Sequence, residues 1–324
     1  MTTSGTVAST IIDTAALIEH AFRRCRVLPS AQTPETVQIA KENLYFLLLN
    51  MSNRGLNLWA VEKAFIGLVA GQALYVTQPG TLDVLNVIYT QPTLSASTFA
   101  ATANGGKATQ TATTVLRIGF KFSAAYTGTL TLSSSSDDIT YSVFSTLSSD
   151  TYAAGIYYWV DIPVATSAIY FKVEGTTAPV SDIVLATVVY DIPCTQWNRD
   201  TYAAINAKNQ QGRPSTSYFF EKKLTPTLTM WPVPNNSTDH LTIYRHRQPQ
   251  DVGSLTQTLE IPQRWLDGVI WLLAAKIGFE LPGVDPQLLT LLTQMAQQQE
   301  FEAEGAESDG APIFLNPGIR AYSR

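Results

Sequence analysis

Residues 87–89 read Val-Ile-Tyr and residues 188–190 read Val-Val-Tyr, and these two short apolar segments decide the fold. Both are strand-like, because β-branched and aromatic residues favour a pleated backbone. Between them, from about residue 91 to residue 182, the composition shifts to Ser, Thr, Ala, Gly and Tyr. We therefore interpret the two segments as parts of one sheet module, and the stretch between them as a domain inserted into a loop of that sheet.

The inserted segment carries a strand pattern of its own. Alternation of apolar and polar residues predicts five short strands, at residues 115–122, 128–132, 139–144, 157–162 and 169–173. Strands at such close spacing are typical of a β-sandwich. We expect residues 91–182 to form an all-β, jelly-roll-like sandwich.

The remaining sequence combines helices near both ends with further strands. Apolar residues at three- and four-residue steps predict two N-terminal helices and two C-terminal helices, at residues 7–27 and 34–54 and from Pro262 and Pro286 onward. The last helix is expected to fade at about residue 297, where the sequence becomes polar on every face. Short apolar runs predict antiparallel strands, within residues 58–89 and at 217–220, 228–231 and 241–246.

The predicted fold class is thus α+β. It comprises a helical bundle of two N-terminal and two C-terminal helices, an antiparallel β-sheet module and the inserted sandwich. The predicted domains are a core over residues 1–90 and 183–305, the insert over residues 91–182, and an extended C-terminal arm over residues 306–324.

Composition and charge exclude several classes of protein. Charged residues make up 15% of the 324 positions and the net charge is -5, with a pI near 5.3. A protein that binds nucleic acid through the phosphate backbone needs clustered Lys and Arg. No stretch approaches the ~18 uninterrupted apolar residues of a membrane span, and no secretory leader begins the sequence. We expect neither sequence-specific nucleic-acid binding nor a membrane partner.

Signs of catalysis or cofactor binding are missing from the sequence. The two cysteines, Cys25 and Cys194, lie far apart and without zinc-type spacing. The sequence has no phosphate-binding loop, nucleophile elbow, metalloprotease helix or dinucleotide fingerprint. It therefore predicts no catalytic residue, no metal site, no cofactor and no enzymatic activity.

Two polar groups admit both a functional and a structural interpretation. His240 and His246 can share one face of a strand and act as ligands, although ordinary surface histidines are the favoured interpretation. Asp137 and Asp138 can touch calcium, but a solvated turn is favoured, since calcium needs more oxygen ligands than this segment offers.

Arg23, Arg24 and Arg26 form the one compact basic cluster of the sequence. It can meet DNA phosphates or an acidic partner. It can equally complement the negative C-terminal end of a helix, and the sequence leaves both interpretations open.

Three segments, taken in order, resemble the tail adaptors of short-tailed bacteriophages, also called head-to-tail connectors or packaged-DNA stabilisation proteins. Residues 44–59, LYFLLLNMSNRGLNLW, precede the strands of residues 61–85. Residues 199–202 and 212–214 lead to LTMWPVP at residues 228–234, and IYRHR at residues 243–247 leads to LEIPQRWL at residues 259–266. About seventy percent of the chain is covered by this likeness.

The insert departs from the compact members of the family. Its segments GTLTL at residues 128–132 and DDITY at residues 137–141 look like jelly-roll carbohydrate-binding or discoidin-like sandwiches.

The resemblance implies a structural virion protein that forms a ring, usually of twelve subunits, in the neck of the virion. Its partners would be the portal protein, the tail nozzle or tail tube protein, and double-stranded DNA that passes through the channel. Assembly would take place in the host cytoplasm. Candidate docking residues toward the portal or a neighbouring subunit are Arg23, Arg24, Arg26, Phe314, Ile319 and Tyr322.

Two rival functions remain open at this stage. The insert could decorate the virion or bind host glycans, with Tyr157, Tyr158 and Trp159 stacking on sugar rings. Strand alternation would place at least one of these three in a core. A peptidoglycan hydrolase is the other rival, and it would need a carboxylate pair or an activated nucleophile that the sequence does not show at any identifiable spacing.

Overall fold

The computed structural model describes residues 12–54, 60–111 and 114–306. Its α-helices are α1 (Thr14–Arg24), α2 (Pro34–Arg54), α3 (Arg199–Ala203), α4 (Gln263–Glu280) and α5 (Pro286–Ala306). Its strands are β1 (Val61–Gly67), β2 (Leu74–Val76), β3 (Thr81–Leu94), β4 (Ser97–Thr102), β5 (Gly105–Gln110), β6 (Val115–Phe122), β7 (Tyr126–Ser135), β8 (Ser142–Tyr152), β9 (Tyr157–Thr166), β10 (Tyr170–Glu174), β11 (Val180–Pro193), β12 (Thr195–Trp197), β13 (Gln211–Gly212), β14 (Ser217–Glu221), β15 (Thr227–Trp231), β16 (Val233–Pro234) and β17 (His240–Arg247). The fold is α+β, as the sequence predicts.

The chain divides into two compact units. Unit 1 comprises Met1–Ala60 together with Gln248–Arg324, and unit 2 comprises Val61–Arg247. Unit 1 therefore joins the two ends of the chain, and unit 2 holds all the described strands.

Unit 1 has a single hydrophobic core to which α1, α2, α4 and α5 all contribute. The largest buried side chains include Phe22 from α1, Leu44 from α2, Trp265 from α4 and Leu292 from α5. Each such side chain contributes about 1.5–3 kcal/mol by leaving water. The four long helices are therefore stabilised by packing on one another more than by their individual propensities.

Capping residues explain where these helices begin. Asp13 Oδ1 accepts a hydrogen bond from the Ala16 amide at 2.7 Å, so α1 starts at Thr14. We predicted a start near residue 7, and residues 7–11 lie outside the described residues. Thr33 Oγ1 accepts from the Thr36 amide at 3.2 Å in front of α2, and Asp285 Oδ1 accepts from Gln287 at 3.0 Å in front of α5. Both of these starts agree with the sequence prediction.

The end of α5 corrects the prediction that the last helix fades at residue 297. The helix continues to Ala306. Its buried stripe passes from Leu292 to Ala296 and Ala303, and small alanines carry little hydrophobic signal in a sequence. Glutamine and glutamate favour helix, so a polar surface does not end one.

Four sheets make up unit 2. The largest has the order β1-β17-β3-β11-β6-β9, the second β4-β5-β10-β7-β8, the third β12-β14-β15-β2 and the smallest β13-β16. The six-stranded sheet is nearly closed, because its two edge strands lie against each other: Lys63 of β1 forms an ion pair with Asp161 of β9. At the same seam the Gly67 backbone approaches the Tyr157 carbonyl so closely that a Cβ would collide with it.

Strand β11 belongs to both the predicted insert and the predicted sheet module. Its first half pairs with β6 and its second half pairs with β3, with a register shift between Ala186 and Val188. Strands β6 and β9 thereby extend the same sheet that contains β1, β3 and β17. Unit 2 includes the segments on both sides of the predicted boundaries at residues 91 and 182, and those boundaries remain a prediction.

A second core lies between the five-stranded sheet and strands β6, β9 and β11. Phe120, Leu132, Phe171 and Leu185 are fully buried there. The prediction of five strands was incomplete, because β4 and β5 were missed and the third strand runs over Ser142–Tyr152, not over residues 139–144. The missed hairpin is rich in Ala, Gly and Thr, so alternation of apolar side chains is weak in it.

Candidate functional site

Residues of the second segment that carries the family resemblance meet in unit 2, whereas residues 44–59 and 259–266 belong to unit 1. Strand β13 with Gly212 pairs in parallel with β16, which contains Pro234 of the WPVP segment. Ser215 Oγ donates to the Pro232 carbonyl at 2.6 Å, and the Trp231 indole N–H donates to the Ala207 carbonyl at 3.2 Å. These residues are therefore structural partners of one another.

A buried charged network adjoins these strands. Asp239 is fully buried and accepts two hydrogen bonds from the Arg213 guanidinium, at 2.7 and 2.8 Å, and one from the Tyr89 hydroxyl at 2.6 Å. Burial, followed by the carboxylate of Asp239, raises the pKa of Tyr89 well above its usual value. The tyrosine therefore stays protonated as a donor, and the network ties β3, β17 and the Arg213 loop together.

The predicted basic cluster lies at the C-terminal end of α1. Arg23 pairs with Glu19 at 2.5 Å. Arg24 pairs with Asp267, and its guanidinium lies 4.0 Å from the centroid of the Trp271 ring. Arg26 is exposed, has a positive φ of 60° and lines a cavity of about 500 Å³ beside the α4–α5 turn. Two of the three arginines thus have ion-pair partners within unit 1, and Arg23 and Arg26 are both exposed to solvent.

The other predicted docking residues, Phe314, Ile319 and Tyr322, lie outside the described residues. They remain predictions of the sequence.

The three predicted glycan-stacking residues occupy consecutive positions of β9 and alternate between its two faces. Tyr157 is 6% exposed, and its hydroxyl donates to Asp182. Tyr158 faces the sandwich core, where its ring lies 6.0 Å from that of Phe120, and its hydroxyl accepts from the Ala153 amide at 2.6 Å. Trp159 is 4% exposed and stacks on His240 at 4.5 Å. The three rings therefore do not form one exposed surface on which a sugar could stack.

Two of the three nevertheless line one open groove at the edge of unit 2, with a volume of about 360 Å³. It runs between strands β8 and β9. Its apolar wall includes Tyr158, Trp159, Tyr152 and Phe65, and its polar side comes from β8, with Thr146, Ser148 and Asp150. The sequence analysis did not find the β8 residues or Phe65, because nothing in the spacing brings β8 and β1 beside β9.

Beneath Trp159, on the face of β9 away from the sandwich, His240 is completely buried. Arg117 approaches its Nε2 at 2.9 Å, which requires that nitrogen to be the unprotonated acceptor. Arg117 also pairs with Asp161 at 2.5 Å. Burial, followed by the charges of Arg117 and Lys63, lowers the pKa of His240 to about 2. His246 is 6% exposed, so the favoured interpretation of both residues as surface histidines was wrong.

The remaining sequence candidates are structural in the part of the chain that is described. Asp137 Oδ1 accepts from the amides of Ile139 and Thr140 and closes a turn. Burial raises the pKa of Cys25 and of Cys194 to about 11, so neither thiol is an activated nucleophile.

Among the described residues no group of three or more His, Cys, Asp or Glu could hold a metal ion. No described helix is long and apolar enough to cross a membrane.

Comparison with known proteins gives distant likenesses only. No family model matches the chain, and no curated protein matches it. A solved carbohydrate-binding module of family 29 shares 12% identity and aligns over 40% of this chain and 88% of that chain, with a TM-score of 0.19. A mutant of a family 29 module shares 14% identity over 40% of this chain and 92% of that chain, with a TM-score of 0.17. At these scores neither likeness bears on the fold or on the ligand of this chain.

Proposed function

We propose that this chain is a non-enzymatic structural protein of a virion: a ring-forming head-to-tail adaptor that links the portal to the tail nozzle and forms part of the DNA channel. In this proposal the four long helices act as a helical bundle at the portal side, the sheet module faces the tail, and a jelly-roll-like sandwich is inserted in the sheet module. The ring would contain twelve subunits and reside in the neck of the virion.

The observation that carries the proposal is the ordered resemblance of three segments to tail adaptors. Contacts among the described residues support it: the second segment forms one packed group, in which Gly212 and Pro234 lie on paired strands and Arg213 binds Asp239. Motifs without catalytic chemistry that serve to build one substructure fit a structural role.

The surface of unit 1 gives further support. Several large apolar side chains of its helices are exposed to solvent. Their exposed fractions are 56% for Phe46 of α2, 69% for Phe279 of α4, 51% for Leu291 of α5 and 77% for Phe301 of α5. Exposed aromatic and aliphatic side chains can contribute to protein–protein contact where they form a contiguous patch. Subunits of a closed ring need complementary lateral faces, and such side chains can supply them.

Charge supports a channel that DNA passes without adhering. The net charge is -5, and two of the three clustered arginines already have partners, Arg23 with Glu19 and Arg24 with Asp267. Each Lys or Arg that contacts a phosphate releases counterions and strengthens DNA binding, so arginines held in ion pairs within the chain contribute less to it.

The test is native mass spectrometry of the purified full chain, alone and mixed with the portal protein of the same virus. We expect a monomer alone and a ring of defined stoichiometry on the portal. Arg26→Glu, an exposed change in the basic cluster, should weaken this assembly, whereas Arg199→Glu, an exposed change on α3 in unit 2, should not. A wild-type chain that stays monomeric in the presence of the portal would refute the proposal.

A second candidate function is recognition of a host glycan, or decoration of the virion, through the sandwich. It is favoured by one observation, the groove between β8 and β9, which places aromatic side chains beside hydroxyls and a carboxylate. This function can coexist with the adaptor role.

A further inference from the structure

Strands β8 and β9 are edge strands of two different sheets, and the groove lies where they run side by side. Phe65 reaches the same groove from β1, the other edge of the nearly closed sheet. A concave site with an apolar wall and a few placed polar groups is the usual form of a small-molecule binding site. About 360 Å³ is enough for one or two sugar rings and too small for a folded protein segment.

The two sides of the groove differ in chemistry. One side is aromatic, with Phe65 and Tyr158 half-buried and Tyr152 and Trp159 at the base. The opposite side is polar, with the exposed residues Thr146, Ser148 and Asp150 of β8. A register shift against β7 between Leu147 and Asp150 interrupts the alternation of faces there, so residues of both faces of β8 reach the groove. A pyranose ring has the same division, with C–H groups on one face and hydroxyls around its rim.

The groove is held in shape by its own packing. Tyr158 lies 5.0 Å from Tyr152 in an edge-on arrangement, and the Tyr158 hydroxyl is fixed by the Ala153 amide. Trp159 has one face covered by His240, and His240 is held in turn by Arg117. Side chains fixed in this way lose little conformational entropy when a ligand binds.

Charge narrows the class of ligand. Asp150 is the carboxylate among the residues that line the groove, and it is exposed. A carboxylate accepts hydrogen bonds from sugar hydroxyls, and it repels uronate and sialate groups. The groove is therefore suited to neutral sugars and disfavours acidic ones.

From this geometry we propose that the groove binds a neutral pyranose unit of a polysaccharide. The ring packs its C–H face on the aromatic wall, and its hydroxyls donate to Asp150 and exchange hydrogen bonds with Ser148 and Thr146. The proposal rests on the second candidate function and names its site and ligand class; it is independent of the adaptor role.

The experiment uses the full chain, because β11 joins the sandwich to the rest of unit 2. Wild-type protein is applied to a printed array of neutral and acidic bacterial polysaccharides, and bound neutral oligosaccharides are then titrated by calorimetry. Asp150→Ala should weaken binding about tenfold or more through loss of a charge-assisted hydrogen bond. Asp200→Ala removes an exposed carboxylate of α3, away from the groove residues, and should bind as wild type does. Thr146→Ala is a second groove variant in case Asp150→Ala folds poorly by circular dichroism.

The proposal would be overturned if the wild type binds no neutral glycan, binds only acidic ones, or binds equally well with the groove residues replaced. Amide hydrogen exchange supplies the location: bound oligosaccharide should protect peptides of β8 and β9, and protection elsewhere alone also overturns it. Asp150→Ala should still assemble on the portal, so failure of glycan binding is distinguishable from failure of the adaptor role.

Discussion

The buried histidine of β17 gives the sharpest prediction for stability. Folding leaves His240 neutral, with a pKa lowered to about 2 from an ordinary value of 6.5. Below about pH 6.5 the unfolded chain therefore binds a proton at this residue and the folded chain does not. The free energy of unfolding consequently falls as the pH falls. Each pH unit between the two pKa values costs about 1.4 kcal/mol. Between neutral pH and about pH 4.5 the loss from this one residue is about 2.7 kcal/mol.

The variant His240→Gln cannot titrate, and its amide oxygen can still accept from Arg117. Near neutral pH we expect it to be about 1–3 kcal/mol less stable than the wild type, since it loses a buried ring stacked on Trp159. The difference should shrink by about 2.7 kcal/mol on acidification to about pH 4.5, so the two stabilities converge or cross. Lys63 and Asp161, the other charged groups beside the histidine, are present in both proteins and cancel.

The assay is urea unfolding at several pH values, followed by pulsed hydrogen exchange of peptides from β9 and β17, which reports on unit 2 alone. His20→Gln is the matched control, because His20 is exposed on α1 in unit 1. If wild type and His240→Gln lose the same stability on acidification, the histidine is not held neutral by its surroundings and the reasoning is wrong.

Three further predictions concern the packing of both units. Asp239→Ala removes the acceptor of the Tyr89 and Arg213 hydrogen bonds, and the buried Tyr89 hydroxyl then lacks a partner while the 40% exposed Arg213 can be hydrated. The variant should lower the unfolding free energy of unit 2 by about 1–3 kcal/mol in urea, whereas Asp200→Ala should leave it unchanged; equal stability of the two variants would contradict the network. Phe171→Ala opens a cavity in the sandwich core and should lower the unfolding free energy of unit 2 by about 3–5 kcal/mol. Because β11 is shared, the amides of β3 should also exchange faster in this variant. Faster exchange confined to β7 and β10 would show that the five-stranded sheet unfolds separately from the six-stranded sheet. With a pKa of about 11, each thiol is about 0.1% ionised at pH 8. Cys25 and Cys194 should therefore react with a disulfide reagent far more slowly in native protein than in urea, and equal rates would contradict the raised pKa of both thiols.

Local signals were enough for the starts of α2 and α5, whereas α3 was not predicted. Asp285 and the Thr33-Pro34 pair mark helix starts that the structure confirms, because caps act within one turn of the backbone. The buried stripe of α5 was underestimated, since Ala296 and Ala303 pack without a strong hydrophobic signal.

The candidate site was accessible to the sequence only in part. Tyr158 and Trp159 do line the groove, but Phe65 and Asp150 reach it from strands that are far away in the chain. Strand alternation also failed as a guide there, because a groove at the edge of a strand is lined by residues of both faces. The choice of edges that meet is a property of topology, and topology depends on pairings such as β11 with β6, which no local pattern encodes.

The shared strand β11 has a mechanical consequence. Tension along β11 would load its backbone hydrogen bonds to β6 and to β3 in shear, since these bonds lie perpendicular to the strands. Bonds loaded in shear must fail together and not one after another. A pull transmitted along β11 would therefore not detach β6 or β3 from it one hydrogen bond at a time.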